Sequence, residues 1–467
     1  MDVFTVAAAI AIATLSAVVI VVYFLHTTQS SPWPKTKQRL AYTRKVIPKK
    51  RRLPLKTAED LLNNSLDDFL PTDEETTVKD VAKFFARRGN EFSVYSIDWE
   101  QEVVVLIRPV DGVDLKSHPF FRQAQRRNAA EVLCVPLEQL QEVASAVADK
   151  VAHVQEVFIF MTGRCGSTLV TRLVEATSMA QAVSEPDVFS VICLALHRLK
   201  RSSQHGQTPS HHGCSAVLSN EESTIALLRN VVTLMNYNLV TSDPRHRDVI
   251  FYKHRVETIL FADLLARAVP SAKTVFMYRN GLEVTESFSR AFVQQSYVLY
   301  KVLRWGTMHI ALLLPDTGVF EDDPKFSTVR QRGKGLFDLC ALWVGTMQCA
   351  ADLQKRQPGH FFHAVVYYSA LLNDKKKTFL LMMKKLGLKW SPEKAGEDTD
   401  KIDKALVEDS QAGSSLCANA RKPGEKWAPD VSSRWIGQWE REYFREVCRC
   451  TGDEIPGPDF LLPGTIV

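Results

Sequence analysis

One short segment of the chain combines two glycines, an arginine and two hydroxyl residues, all of which are groups that bind anions. It reads Thr162-Gly163-Arg164-Cys165-Gly166-Ser167-Thr168. Glycines let backbone N–H groups converge on phosphate oxygens, and a helix that begins at such a turn adds partial positive charge. Arg164 adds a cation, and Ser167 and Thr168 add hydroxyl donors. The segment predicts a phosphate-type anion site, and the alternative is an ordinary capped turn.

The flanking sequence predicts the strand and the helix that position this segment. Residues 157–161 form a wholly apolar run before it, and apolar side chains recur at helical spacing after it, at Leu169, Val170, Leu173 and Val174. Three further apolar runs lie at residues 249–252, 274–278 and 364–368. Runs without polar alternation fit parallel strands that are buried on both faces. We therefore predict an α/β fold, with a P-loop-type parallel sheet flanked by helices.

The segment differs from a Walker A motif, because Ser167 follows Gly166 directly and the motif's lysine is absent. A nucleotide kinase needs that lysine near the β- and γ-phosphates, together with a carboxylate for Mg²⁺. A P-loop kinase or NTPase therefore stays as the alternative enzyme class. A non-catalytic nucleotide-binding protein with the same fold is the alternative outside catalysis.

The run Arg164-Cys165-Gly166-Ser167-Thr168 after a strand resembles the 5′-phosphosulfate loop of sulfotransferases that use 3′-phosphoadenylyl sulfate. That loop has a basic residue, a small residue, glycine and two hydroxyl residues. Arginine in the first position is similar to the membrane-anchored Golgi carbohydrate sulfotransferases and to the protein-tyrosine branch. The resemblance implies that these five residues bind the sulfonyl donor. It also implies that Arg164 stabilises charge on the departing 5′-phosphate.

A second match to the same family lies further along the chain. Tyr278-Arg279-Asn280 ends the apolar run at 274–278, and Ser287 follows. Family members hold the 3′-phosphate of the donor with an arginine and a serine at this spacing. The resemblance implies that Arg279 supplies a forked contact and that Ser287 supplies a hydroxyl donor. The alternative is a surface arginine at the end of a strand.

A third match, Ser184-Glu185-Pro186, concerns the catalytic base. The membrane-bound carbohydrate branch has a Glu-Pro pair near this position, and the protein-tyrosine branch has a catalytic glutamate in a comparable place. The resemblance implies that Glu185 accepts the proton of the acceptor hydroxyl. A loop carboxylate at a helix entry is the alternative. Lys253-His254 is similar to the lysine-x-histidine of cytosolic members without the middle residue, so His254 is the reserve candidate for the base.

Weaker similarities extend over residues 155–450 and include departures from the family pattern. Residues 367–371 read Tyr-Tyr-Ser-Ala-Leu where many members have Tyr-Glu-Asp-Leu, so both acids are missing. Residues 421–424 read Arg-Lys-Pro-Gly, similar to the Arg-Lys-Gly that covers the nucleotide in cytosolic members, with Pro423 inserted.

The chain begins with an apolar segment that is long enough to cross a membrane. Residues 3–25 carry no charge. At about 1.5 Å per residue, a helix of that length spans a hydrocarbon core of about 30 Å. We predict a transmembrane signal anchor over residues 1–25, and the alternative is a cleaved signal peptide.

A basic segment follows, with ten Lys or Arg and no acid over residues 26–58. These ten positive charges exceed the net charge of +5, so the rest of the chain is net negative. We predict a membrane-proximal stem that contacts anionic headgroups, and no nucleic-acid partner. The positive charges after the anchor favour a cytosolic location for the rest of the chain. The Asn63-Asn64-Ser65 sequon and the nine cysteines instead suit a glycosylated domain in the lumen.

The predicted organisation is an anchor at 1–25, a stem at 26–58, a small accessory region at 59–150 and a sulfotransferase domain at 151–467. The expected reaction moves a sulfonyl group from 3′-phosphoadenylyl sulfate to a hydroxyl acceptor, for which the resemblance implies a glycan. No metal is expected, because the sequence has no His/Cys/Asp/Glu set with ligand spacing and Cys448-x-Cys450 alone is too small a set. The family resemblance places the protein in the Golgi membrane as a single-pass protein, with its catalytic domain in the lumen.

Overall fold

The structure is a computed structural model of the 467-residue chain. It describes residues 31–50, 63–204, 217–292, 296–298, 300–301, 319–320, 323–333, 335–357, 361–388, 392–411, 435–452 and 454–467. The predicted anchor at residues 1–25 lies outside these ranges, as do residues 421–424. The described strands form two six-stranded sheets, one antiparallel and one parallel.

The antiparallel sheet is built by the N-terminal part of the chain. Its strands are β1 Ala41–Pro48, β2 Phe69–Pro71, β3 Thr76–Val78, β4 Ser93–Asp98, β5 Val103–Pro109 and β6 Ala129–Pro136. The order is β2-β1-β6-β5-β4, and β3 pairs with β1. In β5, Val103 to Ile107 are all buried, and the strand lies between β6 and β4 inside the sheet.

Part of the segment that was predicted to be a basic stem lies in this sheet. β1 pairs with β6, so that Tyr42 lies opposite Cys134. Ala41, Tyr42 and Val46 are buried, whereas Lys45 is exposed. The prediction of a stem over residues 26–58 does not hold for this strand. The apolar and β-branched residues on either side of Arg44 and Lys45 are buried in the sheet, and the net charge of the segment conceals them.

The parallel sheet begins at the apolar run that precedes the glycine-containing loop. Its strands are β7 Gln155–Met161, β8 Ala180–Ser184, β9 Val249–Lys253, β10 Lys273–Tyr278, β11 Ala364–Tyr367 and β12 Thr465–Ile466. The order is β12-β11-β10-β7-β9-β8, and every pair is parallel. The prediction of a parallel sheet is confirmed, and each of its four apolar runs overlaps one strand.

Helices cover the parallel sheet and connect it to the N-terminal sheet. In chain order the described helices are α1 Val81–Arg88, α2 Phe121–Asn128, α3 Leu140–Ser145, α4 Ala148–Val151, α5 Ser167–Ala176, α6 Val188–Gln204, α7 Glu221–Ser242, α8 Ala262–Ala268, α9 Gly281–Phe292, α10 Ser327–Gly333, α11 Gly335–Arg356, α12 Tyr368–Asn373, α13 Lys375–Lys385, α14 Pro392–Val407 and α15 Gln438–Arg449. α7 links the N-terminal part of the chain to the parallel sheet: Tyr237 Oη donates to the carbonyl of Ala86 on α1, and Asn236 Nδ2 donates to Glu156 Oε1 on β7.

Within the described residues, α11 is the one helix that is long and apolar enough to cross a membrane. Most of its apolar stretch is buried inside the protein, where Trp343 packs against Phe444. A core helix of a soluble domain passes the same test of length and composition.

The order of the parallel strands determines where a ligand can bind. β7 is central: the chain continues from it to β8 and β9 on one side, and then to β10, β11 and β12 on the other. In open α/β sheets, ligands bind beyond the carboxyl ends of the strands at the point where the direction of winding changes. The loop after β7 occupies that point, and the other predicted site residues follow β8 and β10.

Candidate active site

The loop between β7 and α5 has an unusual backbone. Gly163, Arg164 and Gly166 have left-handed φ angles of +75°, +52° and +82°. A left-handed conformation is costly for a residue with a side chain and is found where the surrounding structure enforces it, often at functional sites. A Cβ on Gly163 would lie 2.7 Å from Cζ of Phe288, so a larger residue does not fit there. Left-handed turns that lead into a helix N-terminus form backbone concavities that bind anions.

The hydroxyl residues of the loop begin α5 and are buried. Thr168 Oγ1 accepts a hydrogen bond of 3.0 Å from Lys253 Nζ, and Ser167 Oγ donates to Met161 Sδ over 2.8 Å. The side chain of Cys165 lies in the apolar core below the loop, and burial raises the pKa of its thiol. Cys165 can therefore bind a ligand only through its backbone N–H. Thr168 can bind through its side chain, whose hydroxyl is already oriented by Lys253.

Three residues predicted to bind phosphates converge beside this loop. Arg164 Nε donates to Ser287 Oγ over 2.8 Å, and Arg164 Nη1 donates to Gln411 Oε1 over 2.6 Å. Arg279 Nη1 lies 3.5 Å from the carbonyl oxygen of Arg164. The indole of Trp343 donates to the carbonyl of Arg279 over 2.9 Å and fixes the end of β10. Arg164, Arg279 and Ser287 thus form one cationic group at the carboxyl ends of β7 and β10.

The guanidinium of Arg279 is held in place and still reaches solvent. It lies 4.4 Å from the ring centroid of Tyr368, and its Nε donates to Glu283 over 2.7 Å. Its side chain is 23% exposed. Stacking on an aromatic ring and pairing with one carboxylate limit the rotamers of an arginine while leaving N–H groups for an anion.

Glu185 follows β8 and is held by buried cations. It is left-handed, with φ +59°, and its carboxylate lies 2.8 Å from Lys253 Nζ and 3.5 Å from Arg122 Nε. Burial opposes ionisation of this carboxyl group, but Lys253 and Arg122 outweigh that effect and keep the pKa of Glu185 below its usual value. The carboxylate is therefore charged at neutral pH, as a base that accepts a hydroxyl proton must be.

Lys253 connects this carboxylate to the glycine-containing loop. Its ammonium group is buried and contacts Glu185, Thr168 and, at 3.2 Å, Ser184 Oγ. It also lies 5.3 Å from the ring centroid of Phe120. The anion loop after β7 and the candidate base after β8 are therefore parts of one site, because one cation at the end of β9 touches both.

The comparisons with known proteins concern this part of the chain. Residues 156–311 match the family model described as Sulfotransferase family. The matched segment contains the loop, Glu185, Lys253, Arg279 and Ser287. No curated protein matches the sequence.

Several solved structures of sulfotransferases align with the chain at low identity. A Mycobacterium tuberculosis sulfotransferase has 14% identity and TM-score 0.30, covering 56% of this chain and 78% of its own. The sulfotransferase domain of the curacin biosynthetic pathway has 15% identity and TM-score 0.31, with coverages of 57% and 82%. Retinol dehydratase, solved with androsterone and inactive cofactor PAP, has 14% identity and TM-score 0.30, with coverages of 66% and 82%.

His254, the reserve candidate for the base, lies in an aromatic cage within the segment that matches the family model. Its ring stacks on Phe160 at 5.2 Å and meets the edge of Phe189 at 4.9 Å. Neither ring nitrogen has a hydrogen-bond partner in the part of the chain that the structure describes. Burial lowers the pKa of His254 to about 3. An imidazole that is fully buried among aromatic rings is poorly placed to reach an acceptor hydroxyl, so the geometry favours Glu185.

The departures from the sulfotransferase pattern after β11 have a local explanation. Where the family has acids, Ser369 and Ala370 lie in α12, and Ala370 packs in the core below the loop. Tyr368, the first residue of that helix, is the ring on which Arg279 stacks. A Cβ on Gly166 would lie 3.1 Å from this same ring, so α12 supports both the loop and the arginine.

Sequence reasoning assigned no role to two residues of the site. Lys253 appeared only as a neighbour of His254, although its position at the end of an apolar run is a signal of a site residue in a parallel sheet. Arg122 lies in the N-terminal region outside the matched segment, and no motif marks it. The described residues contain no group of three or more His, Cys, Asp or Glu side chains that could hold a metal ion.

Proposed function

We propose that this protein is a sulfotransferase that moves a sulfonyl group from 3′-phosphoadenylyl sulfate to a hydroxyl acceptor. The observation that carries the proposal is the position of Lys253. Its ammonium group lies 3.0 Å from Thr168 Oγ1 in the anion loop and 2.8 Å from the carboxylate of Glu185. A cation between an anion loop and a base suits a reaction in which a hydroxyl attacks a bound anionic group.

In the proposed reaction the acceptor oxygen forms a bond to sulfur while the bond from sulfur to the 5′-phosphate oxygen breaks. The electron pair of the broken bond goes to that phosphate oxygen, and the hydroxyl proton goes to the carboxylate of Glu185. Arg164, the loop N–H groups and Thr168 stabilise the developing negative charge. Lys253 favours the ionised form of Glu185 before the attack.

Arg279 and Ser287 bind the 3′-phosphate in this proposal. The closeness of Arg279 to the loop carbonyl of Arg164 supports it, because the donor's two phosphate groups would then bind to neighbouring side chains. Fixing the nucleotide at both ends aligns sulfur with the acceptor oxygen, which makes the attack effectively intramolecular.

The acceptor we propose is a carbohydrate hydroxyl, and the location is the Golgi membrane with the catalytic domain in the lumen. The arginine in the loop and the Ser184-Glu185-Pro186 match support this choice, since both are similar to the membrane-anchored carbohydrate branch. The apolar segment at residues 3–25 supports a membrane anchor.

Nucleotide binding and sulfonyl transfer test the proposal separately. Calorimetry on the purified full chain should show binding of adenosine 3′,5′-bisphosphate and no comparable binding of ATP. Incubation with sulfur-labelled 3′-phosphoadenylyl sulfate and a panel of glycans should then transfer label to a glycan. Preference for ATP would favour the P-loop kinase or NTPase. Binding of the bisphosphate without transfer to any hydroxyl compound would favour a non-catalytic nucleotide-binding protein.

A further inference from the structure

The N-terminal sheet contributes a buried cation to the candidate active site. Arg122 lies on α2, which follows β5 and packs against β1, β4 and β5 of that sheet and against β8 of the other. The side chain of Arg122 is 0% exposed, and its Nε lies 3.5 Å from Glu185 Oε2. Residue 122 is outside the segment 156–311 that matches the sulfotransferase family.

Apart from its ion pair with Glu185, the guanidinium of Arg122 has little to compensate its charge. None of its three guanidinium nitrogens has a hydrogen-bond partner among the residues that the structure describes. The charged groups around it are Arg126 on the same helix, Arg255 after β9, and the carboxylates of Glu185 and Asp187. A fully desolvated guanidinium is costly unless a counter-charge compensates it. Glu185 is the carboxylate with which Arg122 forms an ion pair, so the two residues depend on each other.

The helix that carries Arg122 is firmly fixed. Gln125 Nε2 donates to Ser93 Oγ and to the carbonyl of Val94, which ties α2 to β4. Asn64 Nδ2 donates to the carbonyl of Arg122, and the backbone N–H of Asn64 donates to Asp187. A residue on such a support can maintain the orientation of the group it contacts.

We propose that Arg122 is a positioning residue for Glu185, so that the N-terminal sheet completes the catalytic centre. The inference rests on the proposed function, in which Glu185 is the base. Lys253 holds Oε1 of the carboxylate and Arg122 faces Oε2. Two cations on different elements, one at each carboxylate oxygen, fix the plane of the Glu185 carboxylate. With one cation alone, the carboxylate could rotate about the bond to its side chain. The fixed carboxylate then meets the acceptor hydroxyl in one orientation.

The test compares Arg122→Met, Arg122→Lys and, as a matched control, Arg127→Met, which removes an exposed arginine from the same helix. Arg122→Met should lower kcat by about 10- to 100-fold, the scale of a misplaced reactive group, and leave the Kd of adenosine 3′,5′-bisphosphate unchanged. It should also shift the acid limb of the pH profile of kcat/KM, which reports the pKa of Glu185, to higher pH. Arg122→Lys should restore the acid limb and part of kcat, and Arg127→Met should change neither.

The groups that face Glu185 are Lys253, Arg122 and Arg255, so the shift of the acid limb measures the loss of one of three cations. In a Glu185→Gln background, Arg122→Met should lower kcat no further, because the two residues act as a unit. Additive losses, or an acid limb that stays in place in Arg122→Met, would overturn the positioning role.

A measurement without catalysis separates this proposal from the proposed function. The carboxyl carbon of Glu185 can be followed by NMR in protein with labelled glutamate, after assignment by its absence in Glu185→Gln. Its titration midpoint should rise in Arg122→Met and stay in place in Arg127→Met. An unchanged midpoint rejects the role of Arg122 even if the wild type is active. A wild type that transfers no sulfonyl group but shows the expected shift rejects only the proposed reaction. If Arg122→Met does not fold, Arg122→Lys must still lower kcat, and full activity of that variant also rejects the role.

Discussion

Arg164 and Ser287 are 123 positions apart in the chain, and they are joined by a hydrogen bond of 2.8 Å between Nε and Oγ. The two residues come from motifs that were assigned to opposite ends of one nucleotide. Their contact means that the loop after β7 and the helix α9, the two predicted anion-binding elements, lie side by side. A ligand with two phosphate groups a few bonds apart would therefore exchange this protein–protein hydrogen bond for contacts to itself.

Arg164→Ala should lower kcat by about 10²–10³, the usual effect of removing one preorganised group that stabilises the transition state. Thermal unfolding should change little, because Arg164 is half-buried and its guanidinium donates hydrogen bonds to the polar side chains of Ser287 and Gln411. Arg172→Ala is the matched control, because it removes a half-buried arginine of α5 whose guanidinium donates to the carbonyl of Ser117. Initial rates with saturating donor measure the effect. A folded Arg164→Ala protein with wild-type turnover would contradict the assignment of the loop.

Arg279→Ala should weaken binding of adenosine 3′,5′-bisphosphate by roughly 1.5–3 kcal/mol, the value of a charge-assisted hydrogen bond. Binding of adenosine 5′-monophosphate should change much less, since that ligand lacks the 3′-phosphate. Glu283→Gln is the informative control, because it removes the carboxylate that pairs with Arg279 at 2.7 Å and should leave affinity equal or higher. Isothermal titration calorimetry measures both affinities. Equal losses of binding free energy for the two nucleotides would mean that Arg279 does not contact the 3′-phosphate.

Glu185→Gln should lower kcat by about 10²–10⁴, the contribution of a general base, with nucleotide binding retained. The pKa of Glu185 lies below the ordinary value of 4.5, because Lys253 and Arg122 outweigh the effect of burial. The acid limb that reports this carboxyl group in the pH profile of kcat/KM should therefore fall below pH 4.5.

The same pKa shift links Glu185 to stability. A carboxyl group whose pKa is lower in the folded than in the unfolded protein stabilises the fold above its unfolded pKa, and that contribution is lost as pH falls through the folded pKa. Glu185→Gln should thus lower the Tm at neutral pH and have less effect in acid. A Gln variant with wild-type turnover, or with a Tm deficit that persists in acid, would contradict the assignment.

Removal of β1 should destabilise the protein even though β1 lies in a basic segment. A chain that starts at residue 59 loses Ala41, Tyr42 and Val46, which are buried, and exposes the edge of β6. Burial of a side chain the size of Val46 is worth about 1.5–3 kcal/mol, so the Tm should fall by several degrees relative to a chain that starts at residue 31. Differential scanning calorimetry of the two chains measures the difference. Equal Tm values would mean that β1 contributes nothing to the fold.

The proposed lumenal location predicts that protease added to sealed microsomes leaves residues 59–467 intact until detergent is present. The flanking positive charges favour the opposite result, digestion without detergent. Asn63 Oδ1 accepts a hydrogen bond of 2.8 Å from Arg255, so the sequon is engaged with the site once the chain has folded. A lack of glycan at Asn63 is therefore compatible with a lumenal domain, whereas digestion in intact vesicles would overturn the proposed location.

The sequence alone determined the parallel sheet and its anion loop. Both are local signals: a strand buried on two faces is a continuous apolar run, and a cradle of N–H groups needs glycines beside a helix start. Two strands carried weaker signals. β8 reads Ala-Gln-Ala-Val-Ser and β12 contains two residues, so neither forms an apolar run.

Only the tertiary structure decided which charges share the site. The side chains of Arg122, Glu185 and Lys253 come from α2 and from the ends of β8 and β9, and no spacing in the sequence encodes their contact. Burial then determined what each group does: His254 lies neutral among aromatic rings, while Glu185 stays charged beside two cations. The physical reason is that a pKa depends on desolvation and on charges within a few ångströms, and both are properties of the packed chain.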